Sequence, residues 1–346
     1  MAYKNEKNLL NPFLVIKRDY KLGIILTDYF NKKNYKLNSK DFSHFFNISD
    51  KVNEERTLKT DKDLQLFKEF KKIHFFINPK NEIQKIYERA KFWIDFQNFE
   101  SLFYHIFAYN YPFLDYRDKN SMEIDSMMME NYKHKDEHPS FYKVYSTSKI
   151  RLVKPESYPK VNAVDIFNGF TLESKKLDLE LFSMFVFSSF GKTNPQVEYV
   201  RKTVPSGGGK HPTEIYFVIP DGLFIKSGVY HYNLLDNSLD IIKEGNFWKE
   251  FVYATNLSLD IAKEVKFGVI YTGLVERAMW RYRDLRSTRA IQADIGHIIQ
   301  NSQWNGKALG IDSQIEYNLK ESELSKLLDL KDNNEVIFAA NTFYLN

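Results

Sequence analysis

Three consecutive glycines at positions 207–209 constrain the fold of this chain more than any other feature, because strands follow them and no helix does. The apolar run 215–219 has the composition of a β-strand. Residues 220–222, Pro-Asp-Gly, are typical of a turn, and a second strand is predicted over 228–232. Phosphate-binding loops of the P-loop and Rossmann types need a helix directly after their glycines, so the pattern argues against both. The glycines instead open a β-meander, either as a solvated hairpin or as a place where a flat or phosphorylated ligand approaches the backbone.

The composition excludes several kinds of site and partner. The 346 residues are 43% apolar, enough for the packed cores of one large domain or two ordinary ones. The absence of cysteine excludes disulfides, thiolate metal sites and cysteine nucleophiles. The 49 basic and 45 acidic residues nearly balance, so we expect no nucleic-acid partner. The first seven residues lack an apolar signal segment, and no uncharged run reaches the roughly 18 residues of a membrane span, so we expect a soluble, cytoplasmic protein without membrane contact.

Residues 1–114 have the pattern of a small α+β domain. Short apolar runs near its start predict two strands around a basic hairpin turn. Apolar residues at helical spacing predict a helix over 61–73, with Asp61 as its N-cap. A longer helical pattern over 81–111 is expected to break near 95–98.

Residues 115–140 differ in composition from both flanks. They are highly charged, contain no glycine, and include three methionines at 127–129. His134 and His138 lack a convincing metal-ligand spacing, so no metal site is predicted. We interpret this stretch as a linker between two domains.

The third region, residues 141–346, combines helical and strand patterns that do not alternate strictly, which indicates an α+β layer arrangement. Helices are predicted over 177–190, 246–266 and 289–310, and strands over 267–272 and 335–344.

Two sets of motifs resemble those of the SagB/ThcOx-type dehydrogenases, which are FMN enzymes of the nitroreductase superfamily. The first set lies at the glycines and in the strands after them: Pro205-Ser206-x-Gly208, His211-Pro212-x-Glu214-x-Tyr216 and Gly228-x-Tyr230-x-Tyr232. The second set lies downstream: Trp280-Arg281-Tyr282, Arg289-x-x-x-x-Asp294-x-Gly296-His297 and Ala308-Leu309-Gly310. Both sets occur in the family's order and keep its internal spacing.

The resemblance implies an α+β fold with a nitroreductase-like mixed sheet and long core helices, preceded by a small winged-helix-like domain that engages the leader of a peptide substrate. It also implies an FMN cofactor held in a homodimer, NADPH or NADH as the electron donor, and a ribosomally synthesised precursor peptide as the substrate. The residues implied to bind the cofactor at these motifs are Pro205, Ser206, Gly207, Gly208 and Gly310.

One departure from the family concerns the FMN phosphate. Relatives carry an Arg-Ser-x-Arg segment before the first core helix, whereas the matching residues 165–171 read Asp-Ile-Phe-Asn-Gly-Phe-Thr. Arginine can hold a phosphate in bidentate fashion from several backbone positions. Arg201, Lys202, Arg286 and Arg289 are therefore the candidate phosphate ligands.

Tyr282 and Arg281 are the predicted catalytic residues. The phenol of a tyrosine is a competent acid at neutral pH. Relatives that oxidise azolines carry a Lys-Tyr pair here, but arginine is always protonated and cannot act as a base. The Arg-Tyr pair therefore favours NAD(P)H-driven hydrogenation of dehydroalanine or dehydrobutyrine in lanthipeptide maturation, where a cation stabilises enolate-like charge.

Three alternatives stay open at this point. The chain can be an azoline dehydrogenase, which would oxidise thiazoline or oxazoline rings. It can be a small-molecule nitro or quinone reductase. If the missing arginines mean that no flavin binds, it is a non-catalytic scaffold of a peptide-modifying complex.

Overall fold

The computed structural model describes residues 8–53, 58, 60–109, 113–169, 176–196, 198–331 and 334–345. The chain divides into two units, residues 1–114 and residues 115–346.

The first unit contains two small antiparallel sheets and five helices among its described residues. Strands β2, β3 and β4 form one sheet, and β1 pairs with β5. The bounds are β1 Leu9–Leu10, β2 Leu14–Asp19, β3 Gly23–Asp28, β4 Lys33–Leu37, α1 Ser39–Asn53, α2 Asp61–Lys72, β5 Phe76–Ile77, α3 Glu82–Arg89, α4 Lys91–Asp95 and α5 Phe99–Ala108.

Buried phenylalanines form the core of the first unit. Phe45, Phe67 and Phe76 lie in one cluster beneath the three-stranded sheet. A second cluster around Phe13 packs against α3, α4 and α5. The two predicted strands around a hairpin are confirmed as β2 and β3. The winged-helix-like character of the unit stays a prediction.

The helix predicted over 61–73 is confirmed, but its cap lies one residue earlier than expected. The Thr60 hydroxyl accepts a hydrogen bond from the Asp63 backbone N–H at 3.1 Å, whereas Asp61 already belongs to the helix. The break expected near 95–98 is also confirmed, between α4 and α5, and a further break occurs at Ala90. Residues 110 and 111 of the predicted pattern lie outside the described residues.

Residues 115–140 contain a helix, α6 Ser121–Lys135, in place of the predicted linker. The helix is free of glycine and proline and rich in methionine, glutamate and lysine, which are good helix formers. The helix and the residue after it contact Trp280. Tyr132 meets the Trp280 ring edge-on, and the Asp136 carbonyl accepts a hydrogen bond from the Trp280 indole. The segment is therefore an ordered part of the second unit.

The second unit is built on a seven-stranded sheet. After α6, its elements are β6 Lys149–Arg151, α7 Ala163–Phe167, α8 Leu179–Phe190, β7 Thr213–Ile219, β8 Gly228–Asn233, β9 Ser238–Glu244, α9 Trp248–Thr255, α10 Leu259–Glu264, β10 Val265–Leu274, α11 Val275–Arg281, α12 Arg286–Ala308, β11 Ile311–Glu316, α13 Glu321–Leu327 and β12 Glu335–Leu345. The strand order is β11-β12-β10-β7-β8-β9-β6.

Every neighbouring pair in this sheet is antiparallel, whereas a mixed sheet is expected from the resemblance. Strands β7, β8 and β9 follow one another through short turns, and such connections produce antiparallel neighbours. The β-meander predicted after the glycines is thus confirmed.

Helices cover both faces of the sheet. Along β7, Ile215, Phe217 and Ile219 pack against α8 and α12, while Tyr216 and Val218 face α9 and α13. All seven residues of β7 are buried, which explains the unbroken apolar run over 215–219. This α+β architecture confirms the predicted fold class. The region expected to be helical over 246–266 comprises two helices, α9 and α10.

Candidate functional site

The glycine loop, residues 205–209, lies over the second and third turns of α12. The three glycines form one 3₁₀ turn in which Gly208 and Gly209 have positive φ angles of 58° and 63°. A Cβ added to Gly207 would lie 3.3 Å from the Ala290 Cβ on α12. Glycine is needed here because of both the positive φ and the close approach to the helix.

Asp294 of α12 holds this loop by two hydrogen bonds. Its Oδ2 accepts from the Ser206 hydroxyl at 2.6 Å, and its Oδ1 accepts from the Gly207 backbone N–H at 3.0 Å. The Ser206 oxygen in turn accepts from the His211 backbone N–H at 2.8 Å. Burial raises the pKa of Asp294 even though both hydrogen bonds act in the opposite direction. The Ser206 side chain, predicted to bind the cofactor, is thus used to fix the loop.

Tyr282 covers Gly208. A Cβ on Gly208 would lie 2.0 Å from the Tyr282 hydroxyl oxygen and 2.9 Å from Cζ, so only glycine permits this arrangement. Tyr282 follows directly after α11, and its backbone N–H caps that helix by donating to the Ala278 carbonyl. The structure therefore brings together the predicted catalytic tyrosine and the predicted cofactor-binding loop.

Arg281, the second predicted catalytic residue, forms an ion pair. Its guanidinium lies 2.5 Å from the Asp125 carboxylate of α6, and both side chains are largely buried. The same guanidinium lies 5.4 Å from the centroid of the Tyr282 ring. Sequence reasoning missed Asp125 because it lies in the stretch interpreted as a linker.

The remaining predicted cofactor ligands lie at three different places. Arg286 and Arg289 lie in the first turn of α12, close in sequence to Ala290 and Asp294. Gly310 lies beyond the opposite end of that 23-residue helix, which at 1.5 Å per residue places it about 20 Å or more from the loop. Arg201 is exposed, with its guanidinium 5.7 Å from the Tyr199 ring centroid.

An uncharged groove, here called the α12 groove, runs along α12 from the glycine loop toward its C-terminal end. It comprises two pockets of about 280 and 480 Å³ that share Thr203. Polar side chains that line it are Ser188, Thr193, Thr203, His297, Gln300, Asn301 and Asn305, and Pro205 of the loop lines its first pocket. No lysine, arginine, aspartate or glutamate is among these lining residues. Such a site suits a flat, neutral heterocycle with polar edges.

The α12 groove supplies no cation for a phosphate. Helix α7, which includes part of the segment matching the family's Arg-Ser-x-Arg, contributes Ala163 and Ile166 to the wall, and Phe167 packs edge-on against Trp304 with 4.5 Å between ring centroids. Residues 170 and 171 of that segment lie outside the described residues. Lys202 points inward, donating to the Thr213 carbonyl at 3.2 Å, and its burial lowers its pKa to about 8.

A chain of buried charges crosses the sheet behind the glycine loop. Glu214 on β7 lies 2.5 Å from the Arg277 guanidinium and 2.7 Å from His231, and His231 lies 3.6 Å from Asp240. Burial alone would raise the pKa of Glu214, but Arg277, His231 and Lys202 outweigh it and lower the pKa to about 2.

The same charge chain tethers neighbouring segments. Arg277 donates to the carbonyls of Ser140 and His211, so it joins α11 to the segment that leads into β7. Glu214 belongs to a motif recognised in the sequence, whereas no sequence signal identifies Arg277.

The described residues contain neither a metal-binding cluster nor a membrane-spanning helix. No group of histidine and carboxylate side chains there is arranged to hold a metal ion. No described helix combines the length and the apolar character needed to cross a bilayer.

Comparison with known proteins gives a family match and several similar proteins. The model of the nitroreductase family matches residues 181–343. The trifolitoxin-processing protein TfxB of Rhizobium leguminosarum bv. trifolii is 29% identical over 66% of this chain and 65% of its own length. The microcin B17-processing protein McbC of Escherichia coli is 21% identical over 46% of this chain and 58% of its own length. The chain thus spans less than two thirds of either relative.

A solved structure gives the same fold. A provisionally assigned nitroreductase from Anabaena variabilis superposes with a TM-score of 0.51 at 21% identity, over 62% of this chain and 46% of that one. The segment that matches the family model, residues 181–343, contains the glycine loop, Asp294 and Tyr282, but not the α7 wall of the α12 groove. The nitroreductase family model thus matches residues 181–343, and the chain shares the fold of this solved structure.

Proposed function

We propose that this chain is an FMN-dependent oxidoreductase that modifies a ribosomally synthesised precursor peptide. The observation that carries the proposal is the contact of Tyr282 with Gly208, in a loop that Asp294 anchors beside the uncharged α12 groove. The names of the two curated relatives, which describe the processing of trifolitoxin and microcin B17, support a peptide substrate.

The residues present fit a flavin ring better than they fit its phosphate. The glycine loop offers close backbone approach, and Thr203, Gln300 and Asn301 offer hydrogen-bonding partners for the polar edges of the ring. Arg286 and Arg289, in the first turn of α12, are the proposed phosphate ligands because the α12 groove itself contains no cation. When bound, FMN would supply hydride transfer.

The protein's own contribution is the placement of a proton and the exclusion of water. Tyr282 would hold or release a proton at its hydroxyl oxygen, which the close contact with Gly208 fixes in position. The ion pair between Asp125 and Arg281 ties α6 to the end of α11 and so restricts the adjacent tyrosine. We also propose that the protein is a homodimer and that residues of both subunits complete the site.

The first candidate reaction is the reduction of dehydroalanine or dehydrobutyrine with NADPH or NADH as the electron source. Hydride would add to the β-carbon and a proton to the α-carbon, the proton coming from Tyr282. The permanent charge of Arg281, beside Tyr282, supports this direction because it would stabilise negative charge that develops on the substrate amide oxygen.

The second candidate reaction, oxidation of an azoline ring, is favoured by the Asp125 ion pair. Because a carboxylate lies 2.5 Å from Arg281, the charge of this arginine is already compensated within the protein. The charge of Arg281 would then stabilise an anionic substrate less, which favours oxidation over reduction.

One experiment tests the proposed function and its direction. The purified chain is titrated with FMN, and the complex is incubated with a dehydrated peptide plus NADPH, or with an azoline peptide in air. A gain of two hydrogens per site establishes reduction, and a loss of two establishes oxidation. For reduction we expect Arg281→Gln to lower the rate at least about tenfold while FMN binding persists.

Two outcomes would overturn the proposal. A colourless protein that FMN cannot reconstitute favours the non-catalytic scaffold. A yellow protein that reduces nitroaromatics or quinones, but changes the mass of neither peptide, favours the small-molecule reductase.

A further inference from the structure

A second groove lies on the other face of the sheet from the glycine loop. This groove, here called the Trp248 groove, has a volume of about 680 Å³ and is formed by α9, α10 and the residue before α13. Helix α9 packs with α13 over the face of β7 that carries Tyr216 and Val218, whereas the glycine loop lies over α12 on the face of Phe217. The two grooves are therefore separated by the sheet.

The floor of the Trp248 groove is apolar and well packed. Val252, Leu257 and Ala262 are buried in one cluster with Val265, and Trp248 packs against it. The volume falls within the range of about 300–1,000 Å³ that is typical of ligand pockets. Large apolar side chains also remain exposed at its edge: Leu259 is 75% exposed and Tyr253 is 62% exposed. An apolar ligand would cover both.

Lysines dominate the charge of the groove. Lys249, Lys263 and Lys320 line it, and no aspartate or glutamate does. Asp260 pairs with Lys263 at the exposed margin, at 3.0 Å, and the residues that line the groove itself include three lysines. The rim is therefore positive over an apolar floor.

The rim is also partly pre-organised. The Lys320 ammonium donates to the Tyr253 carbonyl at 3.0 Å and lies 3.4 Å from the Tyr253 ring centroid. The Lys320 backbone N–H donates to the Ala254 carbonyl at 2.7 Å, and Asn256 donates to the Asn318 carbonyl. These bonds tie the segment before α13 to the end of α9, so this wall of the groove is held in place.

We propose that the Trp248 groove binds a linear acidic peptide segment whose large apolar side chains enter the floor while its carboxylates meet the lysine rim. Charge complementarity selects this partner, because peptide carboxylates would be attracted to the lysines of the rim and a basic segment would be repelled. The proposal does not depend on flavin binding or on the redox reaction, since none of the groove residues belongs to the α12 site.

The test uses the full chain and a fluorescein-labelled synthetic peptide of about twelve residues that alternates glutamate pairs with leucine and phenylalanine. Binding is followed by fluorescence anisotropy at low salt. Two further peptides serve as probes: one has lysine for each glutamate, and the other has serine for each apolar residue. We expect saturable binding of the first peptide only.

Charge reversal localises the binding. Lys249→Glu combined with Lys263→Glu should weaken the first peptide at least about tenfold, since two favourable charges become repulsive. The matched control is Lys119→Glu combined with Lys135→Glu, which makes the same change in net charge at exposed lysines of another surface. It should change the affinity less than about twofold, because surface charges far apart are screened. Circular dichroism checks that both variants are folded.

Three results would overturn the proposal. The first is equal binding of the serine-substituted peptide, which would show charge attraction without use of the apolar floor. The second is equal weakening by the control variant. The third is absence of peptide binding together with a change of oligomeric state in the Lys249 and Lys263 variant, which would make the groove an interface between copies of this chain.

Discussion

At the scale of single residues, Gly208 determines how closely Tyr282 can lie against the glycine loop. Gly208→Ala should destabilise the protein because the new Cβ would meet the Tyr282 hydroxyl at 2.0 Å, and the positive φ adds about 1–2 kcal/mol. Gly209→Ala is the matched control, since its φ is similar and nothing lies within 4 Å of its added Cβ. Urea unfolding of both variants gives the comparison.

Tyr282→Phe separates the steric contact with Tyr282 from the strain of the positive φ angle. It removes the oxygen at 2.0 Å but leaves Cζ at 2.9 Å, so it should recover part of the stability that Gly208→Ala loses. It should give no such gain to Gly209→Ala. Equal losses in the two glycine variants would contradict the close contact between loop and tyrosine.

Asp294 should behave as a positioning residue for the glycine loop. Asp294→Asn keeps the shape of the side chain but can no longer accept from both Ser206 and Gly207, so we expect a loss of about 1–3 kcal/mol in the free energy of unfolding. FMN affinity, measured by quenching of flavin fluorescence, should also fall. Ser206→Ala removes one of the two contacts and should cost less.

A double-mutant cycle identifies the interaction. Because Asp294 and Ser206 are bonded directly, the effects of Asp294→Asn and Ser206→Ala should not add. Strict additivity in stability and in FMN affinity would mean that the anchor does not act through the loop.

The residue scale also shows what the sequence could and could not predict. Gly208 and Tyr282 come from two separate motifs, and the structure brings them into contact. Asp294 stands in a recognised motif but without a role, because a carboxylate in a helix pattern does not reveal its partners. Asp125 was missed altogether: it pairs with a residue 156 positions away, and spacing patterns report only local geometry.

At the scale of elements, prediction succeeded where apolar residues follow one period. Residues 215–219 of strand β7 form an unbroken apolar run because helices bury the strand on both faces. The charged composition around helix α6 predicts a linker, and the helix lacks a clear apolar period because Met122 is 66% exposed and Met127 is 61% exposed. Its contacts with Trp280 and Arg281 of α11 leave no periodic signal.

The charge chain that joins β7, β8 and α11 should make the stability of the folded protein depend on pH. The pKa of Glu214 is lowered to about 2 in the folded protein, below its ordinary value of 4.5. Its stabilising contribution is therefore complete above pH 4.5 and is lost as the pH falls toward 2. Glu214→Gln should destabilise the protein at pH 7 by about 3–5 kcal/mol, because Arg277 would keep a buried charge without its partner.

Glu214→Gln should also lose less stability than the wild type when the pH is lowered from 5 to 3. Glu276→Gln provides the matched control, since Glu276 is exposed on the same helix as Arg277. Urea unfolding across this pH range measures all three proteins. Parallel pH dependence of wild type and Glu214→Gln would show that another carboxylate is responsible.

At the scale of the whole molecule, each unit has a hydrophobic core of its own. The clusters around Phe13 and Phe45 lie within residues 1–114, and those on the two faces of the seven-stranded sheet lie within residues 115–346. The sequence predicted a change of region near residue 115 from composition. It could not predict that α6 belongs with the second unit, since that depends on the Asp125 and Tyr132 contacts.

A chain truncated to residues 115–346 should therefore fold without the first unit. All the candidate site residues lie within it, including Asp125, Asp294 and the glycine loop, so its FMN affinity should stay within about threefold of that of the full chain, and its unfolding should be one cooperative transition. Chemical denaturation measures the unfolding transition, and flavin titration measures the FMN affinity.

A second truncation, beginning at residue 141, removes α6 and with it Asp125, and should bind FMN more weakly because Arg281 loses its partner. If both truncated chains bind FMN equally, α6 has no part in the site; if neither folds, the second unit depends on the first.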